Sequence, residues 1–345
     1  MTLSEQIIRR VRGDNSNSKT EETKVDLTNT ISTGSTLLDL SISGGITKEG
    51  GIPGGVMVEV FGPNQSGKTV LLCEIAGNIQ RKGGRICFAD PEGRLDKQYS
   101  QLFGLKIKEA NYSMPDTVTE VFTAIRNWNP PMKENIINGI FTDSLAALST
   151  ELEMKEDEGD KMGMRRAKEF SQELRRTCRM LKQKNYLLVC SNQIRDTTDG
   201  YSRYESPGGK AIGFYSSIRL RTDIIRKIKK TKKINEKEVT RVIGVDIEVE
   251  VVKNSIWKPY HIAPVSILFD YGIDDIRQNL QFIKDYTKDT VYSLGERKLA
   301  KSIERAIHIV ESEGLEQQLR KEVIELWNEI ENKFVDSERK LKWRW

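Results

Sequence analysis

Over most of the chain, short unbroken apolar runs alternate with segments of helical period. Val56–Phe61, Arg85–Asp90, Gly139–Asp143 and Leu187–Asn192 are each apolar or β-branched and close at a polar or turn position. Unbroken runs of this kind predict strands buried on both faces, whereas a one-sided sheet would alternate apolar with polar. Between them, apolar residues recur every three or four positions in Val70–Arg81, Val118–Trp128 and Arg165–Gln183, which predicts helices. Strand and helix in alternation predict an α/β fold with a mostly parallel central sheet covered on both faces.

Further along, Ser217–Asp223, Val242–Val252 and Ile262–Asp270 follow one another with little helix between them, predicting antiparallel strands that extend one edge. From residue 271 the period changes. Ile303, Ile307 and Val310, then Leu315, Leu319, Val323, Leu326, Trp327, Ile330 and Phe334, mark two helices of a small, mainly helical C-terminal domain. At the other end Ile7, Ile8 and Val11 form a short amphipathic stretch ahead of the polar run 13–24. The expected organisation is an N-terminal arm and linker (1–30), a core (31–270) and a C-terminal domain (271–345). No repeat of fixed period is visible.

Composition narrows the class. The 345 residues carry 55 basic and 50 acidic side chains, with 37% hydrophobic and 30% charged positions, which excludes both a disulfide-stapled mini-protein and a bundle of membrane spans. No apolar run approaches the ~18 residues that span a bilayer, and the first residues lack a secretory apolar region. A cytoplasmic protein without a membrane partner is expected. Cys73, Cys87, Cys178 and Cys190 form no C-x-x-C pair, so buried thiols of a reducing compartment are expected, with a disulfide or metal site as the alternative. Only His261 and His308 are histidines, which excludes a His-rich metal site. The net charge of +5 permits an anionic partner without requiring one.

Gly62-Pro63-Asn64-Gln65-Ser66-Gly67-Lys68-Thr69 matches the phosphate-loop pattern, with a strand leading in and a helix, from Val70, leading out. The glycines let backbone N–H groups curl around a β-phosphate, and the helix start adds its positive end. Lys68 would reach the β/γ oxygens, and the Thr69 hydroxyl would ligate Mg²⁺. Asp143, closing an apolar strand, is the expected second Mg²⁺ anchor. Glu92, just past the strand Arg85–Asp90, would stand at the same sheet edge and could orient a water; a solvated acidic turn is the plain alternative.

Taken together, the residues resemble the bacterial RecA recombinase family over roughly residues 25–275. The matching pieces, in order, are Ile31–Ser35, the phosphate loop, Asp90–Asp96, Thr142–Leu148, Gly159–Gly163, Asn192–Arg195, Gly208–Tyr215 and Val252–Asn254. The resemblance implies a RecA-like ATPase that uses ATP and Mg²⁺, forms a helical self-assembled filament on single-stranded DNA and pairs it with homologous duplex. It implies that Glu92 activates the attacking water and that Asp96 and Tyr99 contact the adenine side. Gln193 would sense the γ-phosphate and begin the second DNA loop. Residues 153–163 and 195–210 would be the two DNA loops, with Met162 wedging beside a base step and Ser171 and Arg175 on phosphates. Arg195, Gly208, Gly209 and Lys210 would complete the DNA contacts, and Lys253 would reach a neighbour's nucleotide in trans. The second loop is rich in Gly, Ser, Thr and Tyr, and its glycine pair lets backbone approach phosphates.

The chain also departs from the family. Ser255 stands where the family carries a second interface lysine, and Gly213 replaces another basic residue. The oligomerisation arm is short, and the chain ends Lys340-Leu341-Lys342-Trp343-Arg344-Trp345 in place of an acidic tail. Between Ile224 and Arg241 eight basic and two acidic residues give +6, which reads as a basic hairpin serving either as a solvated edge guard or as a duplex or filament contact. Two other functions are open: a DNA-coating or mediator ATPase without strand exchange, and a ring-type motor ATPase. The long Gly-Gly loop after Asn192-Gln193 weighs against the motor. Lys68, Thr69, Glu92 and Asp143 together weigh against a non-catalytic filament.

Overall fold

The computed structural model describes residues 27–151, 153–154, 162–196, 204–205, 210–287 and 289–335, and only the backbone at 97, 162, 163, 195, 196, 204 and 205. Through the centre runs a nine-stranded sheet. Its strands in chain order are β1 (Met57–Gly62), β2 (Ile86–Ala89), β3 (Tyr112–Ser113), β4 (Asn138–Thr142), β5 (Tyr186–Gln193), β6 (Ile218–Ile234), β7 (Lys237–Asn254), β8 (Ile262–Leu268) and β9 (Gly272–Ile273). Across the sheet the order is β9-β8-β7-β6-β1-β5-β4-β2-β3. Pairing is parallel from β6 to β3 and antiparallel from β6 to β9. The expected mostly parallel sheet, extended at one edge by antiparallel strands, is what forms.

The unbroken apolar runs follow from burial on both faces. In β5, Leu187 and Val189 enter one core cluster, while Tyr186, Leu188 and Cys190 enter the other. The first cluster is closed by helices Thr36–Ser43 and Lys68–Arg81, the second by Val118–Asn127 and Met162–Lys184. At ~1.5–3 kcal/mol for each large apolar side chain fully buried, these two layers dominate the stabilisation of the sheet. Helix Val118–Asn127 opens on a reciprocal capping box between Thr117 and Glu120, which satisfies N–H groups the first turn leaves free. It stops one residue before the predicted end, because Trp128 turns to extended backbone and packs its ring 5.3 Å from that of Tyr186.

The antiparallel strands are longer than the sequence suggests. The basic stretch is the expected hairpin: β6 and β7 run on through it and pair, with register shifts at Ile224/Arg226 and Ile228/Lys229, as far as Ile234 and Lys237. The Thr231 and Thr240 hydroxyls bond across this two-stranded ribbon at 2.8 Å. Asn235 and Glu236 turn the chain, both with positive φ (47° and 66°), as a tight hairpin turn demands.

The segment after 271 contains helices Asp275–Thr287, Ile303–Glu313 and Glu316–Lys333, plus a two-stranded hairpin, Tyr292–Leu294 with Arg297–Ala300, that the helical period did not reveal. Thr36 fastens it to the body: its N–H and its hydroxyl each donate to Asp275 at 2.7 Å. Trp327 lies in the first core cluster, its ring 5.5 Å from that of Trp257. All four cysteines are free thiols, with Cys73 and Cys190 buried. Among the described residues no helix is long and apolar enough to cross a membrane. Residues 1–26 of the expected N-terminal arm and linker, and the terminal Lys340–Trp345, lie outside the described residues.

Candidate functional site

β1, the strand at the middle of the sheet, ends at Gly62 and delivers the loop into helix Lys68–Arg81. Gly67 caps that helix with φ 82° and offers no side chain to its first turn. The leading N–H groups therefore point into the loop, which is the arrangement that binds phosphate. A Cβ on Gly62 would stand 2.3 Å from the carbonyl oxygen of Thr222, so only glycine lets β6 approach so closely. Ser66 ties the loop down, donating to the Pro63 carbonyl at 2.8 Å and sharing a 2.6 Å hydrogen bond with the Thr222 hydroxyl. Lys68 Nζ donates to the carbonyls of Gly62 (3.0 Å) and Pro63 (2.6 Å). Burial pushes the Lys68 ammonium below its ordinary range, against the pull of Asp143 and Glu92.

Asp143 follows β4 directly. Its Oδ2 accepts from the Thr69 hydroxyl at 2.6 Å, and its Oδ1 accepts from Ser191 at the end of β5. Burial raises the carboxyl above the usual range; the two hydroxyl bonds oppose the shift, and Glu92 and Asp90 add to it. A desolvated carboxylate beside a helix-start hydroxyl suits Mg²⁺, which takes one or two carboxylates and completes its octahedron with phosphate oxygens and water. Among the described residues no cluster of three or more His, Cys, Asp or Glu is placed to hold a metal.

Glu92 is where two strand ends meet. Its Oε1 accepts from the Ser144 hydroxyl at 2.7 Å and from Gln193 Nε2 at 3.4 Å, and its Oε2 pairs with Arg94 at 2.8 Å. Ser144 adjoins Asp143; Gln193 is the last residue of β5, two before Arg195. Asp96 caps the short helix Lys97–Leu102, accepting from the N–H groups of Gln98 (2.7 Å) and Tyr99 (2.9 Å). The cap leaves the Tyr99 ring half-exposed and edge-on to Phe103 at 4.8 Å. Gln65–Val70, Asp96 and Tyr99 then line one cavity of about 630 Å³, whose far wall is Phe269 and the root of the ribbon.

Other predicted residues lie elsewhere. Lys253 is paired with Arg219, which is paired with Glu59, three residues before the loop begins. It stands away from the phosphate loop of its own chain, donating to the carbonyls of Gly213 (2.9 Å) and Phe214 (2.8 Å). The missing side chain at Gly213 leaves room for Arg219: a Cβ there would meet the guanidinium at 3.1 Å. Arg219 bridges the buried Glu59 at 2.6 Å and covers the Phe61 ring at 4.5 Å. Ser171 and Arg175 share helix Met162–Lys184, and Arg175 Nε donates to the Tyr215 hydroxyl at 3.4 Å. Lys210, exposed, starts the neighbouring helix Lys210–Tyr215. β-Bridging joins Arg195–Asp196 to Tyr204–Glu205. The Met162 and Arg195 side chains, Gly208 and Gly209, and most of the first loop (155–161) lie outside the described residues.

Sequence reasoning missed five residues at this site. Ser144 and Ser191 were readable as hydroxyls at strand ends beside a carboxylate. Lys227 and Phe269, in the cavity wall, carried no local signal, because strand pairing across the sheet brings them in. Arg94 stood inside a quoted motif without a role.

The chain resembles known proteins over most of its length. The family model described as RecA N-terminal domain matches residues 2–274. A RecA protein of Thermus thermophilus is 32% identical over 307 residues, spanning 87% of this chain and 86% of its own. That of Legionella pneumophila strain Corby is 33% identical over 306 residues, spanning 86% and 83%. The crystal structure of the RadB recombinase aligns with a TM-score of 0.49 at 19% identity, over 70% of this chain and 98% of that one.

Proposed function

The chain belongs to the RecA family, and from that membership we propose that it is a cytoplasmic, ATP-dependent recombinase. It assembles as a filament on single-stranded DNA, hydrolyses ATP in a DNA-dependent manner and exchanges strands with homologous duplex. The observation that carries the reading is the meeting of Ser144 and Gln193 on Glu92, which links the metal anchor, the candidate base and the strand leading to the second DNA loop.

In this reading the open N–H groups of helix Lys68–Arg81 and the Lys68 ammonium hold the β- and γ-phosphates. Thr69 and Asp143 hold Mg²⁺, which supplies neutralisation of phosphate charge when bound. Glu92 accepts the proton of the attacking water. Tyr99 and Phe269 offer apolar surface to the base, and Asp96 keeps the helix beneath Tyr99 in place. Gln193 exchanges Glu92 for the γ-phosphate region as the second loop engages DNA, so that an amide reports the state of one site to the other. Ser171, Arg175 and Lys210 line the DNA side with Met162, Arg195, Gly208 and Gly209, and Lys253 reaches the nucleotide of an adjoining subunit. Residues 1–30 serve assembly and 271–345 form a C-terminal domain.

The test is strand exchange between circular single-stranded DNA and linear duplex. Joint molecules that need both ATP and homology are expected. ATP turnover without joint molecules would leave only a DNA-coating ATPase.

A further inference from the structure

Of the three partners of Glu92, the proposed reaction uses Ser144 and Gln193 and leaves Arg94 without a task. Arg94 Nη1 lies 2.8 Å from Glu92 Oε2, and the two side chains differ sharply in exposure, 80% for the arginine against 17% for the glutamate. The turn that carries them is firmly held. Gly93 N–H donates to the Asp90 carbonyl at 3.1 Å, while the Asp90 carboxylate accepts from Leu95 N–H at 2.8 Å and from the Tyr112 hydroxyl at 2.7 Å. Any change of partner therefore falls to the long, solvated side chain of Arg94. That side chain also borders the cavity lined by Lys68, Thr69 and Asp96.

We propose that Arg94 is a two-position residue for the nucleotide reaction, a latch on Glu92 in the resting chain and a phosphate ligand once ATP is held. A guanidinium keeps its charge at any working pH and meets phosphate oxygens in a bidentate fork. Several phosphate charges draw it more strongly than one carboxylate does. Its departure frees Oε2 of Glu92 to accept the proton of the attacking water, while Oε1 stays with Ser144. Nucleotide arrival then does two things with one side chain: it gains a cation and uncovers the base. The proposal rests on the ATPase reading.

A double-mutant cycle on the full chain tests it, reading the affinity for a non-hydrolysable ATP analogue with Mg²⁺. Glu92→Gln removes repulsion toward the phosphates in any background, and that gain cancels in the cycle. With Arg94 present it also releases the latch. The tightening caused by Glu92→Gln should then be about two- to fivefold larger with Arg94 than in Arg94→Ala, the range of an exposed ion pair. Arg94→Ala alone should weaken analogue binding. An equal or smaller tightening in the background that keeps Arg94 overturns the proposal, since an arginine that stays on Glu92 shields it in the bound state too. So does unchanged analogue binding in Arg94→Ala. Failure of the ATPase reading shows separately, as ATP turnover by Glu92→Gln equal to that of the unmodified chain.

Discussion

Gln193 donates from Nε2 to Oε1 of Glu92 over 3.4 Å, joining the last residue of β5 to the turn after β2. Since Arg195 follows two residues later, a displacement of the second loop reaches the candidate base through a single side chain. Gln193→Ala is expected to bind nucleotide and to lose the stimulation of turnover by DNA. Titrating ATPase activity with single-stranded DNA checks this; stimulation that survives the change means the loop and the base are not coupled through Gln193.

Asp143 bonds two hydroxyls and is held above its usual range by burial. Asp143→Asn keeps the shape and removes the charge. A charged ligand contact contributes about 1.5–3 kcal/mol, so nucleotide affinity in Mg²⁺ is expected to fall about ten- to a hundredfold, and to match the unmodified chain in excess chelator. Calorimetry with and without Mg²⁺ decides; an equal loss in chelator would assign Asp143 to the fold and not to the metal.

Glu74 gives a pH signature apart from catalysis. Its side chain is only 11% exposed, and burial pushes its carboxyl up to about 7, against a backbone bond from Ile273 and the nearby Arg81. The folded chain keeps this proton to about pH 7, whereas the unfolded chain releases it near 4.5. Between those values the folded state binds more protons, so stability falls as pH rises, by roughly 3 kcal/mol across the window. Glu74→Gln should raise the urea midpoint at pH 8 and change it little at pH 5. The same shift at both values would rule out a buried, protonated Glu74.

Much of this was readable beforehand because the signals are local. The phosphate loop is a contiguous pattern, and in β5 each buried face takes alternate residues, so a double-faced core writes itself as an unbroken apolar run. The basic hairpin is there as read, but its strands run longer than the apolar runs because charged, exposed residues carry no apolar signal; cross-strand bonding and a two-residue turn keep Ile224–Arg241 extended. Phe269 and Lys227 reach the cavity beside the phosphate loop only through the pairing of β8, β7 and β6, a relation between distant segments. Arg94 lay in plain view, yet its pairing with Glu92 depends on the tight turn at Gly93, φ 62°.

Lys253 stands clear of its own phosphate loop, held by the Gly213 and Phe214 carbonyls, and burial lowers its ammonium below the ordinary range. If it acts on a neighbour's nucleotide, Lys68→Ala and Lys253→Ala should each be inactive, and their mixture should regain part of the DNA-dependent turnover at interfaces that keep both lysines. Mixed filaments that demonstrably co-assemble and regain nothing would exclude action across the interface.

Glu92 as the base of a DNA-dependent ATPase stands or falls on steady-state ATP turnover with and without single-stranded DNA. The unmodified chain should turn over ATP and accelerate on DNA. Glu92→Gln, with an amide that cannot accept the water's proton, should bind ATP and DNA yet lose at least about a hundredfold in rate, the lower bound for removing a positioned base. Turnover by Glu92→Gln within a factor of about two of the unmodified chain, with DNA present, would strip Glu92 of that role.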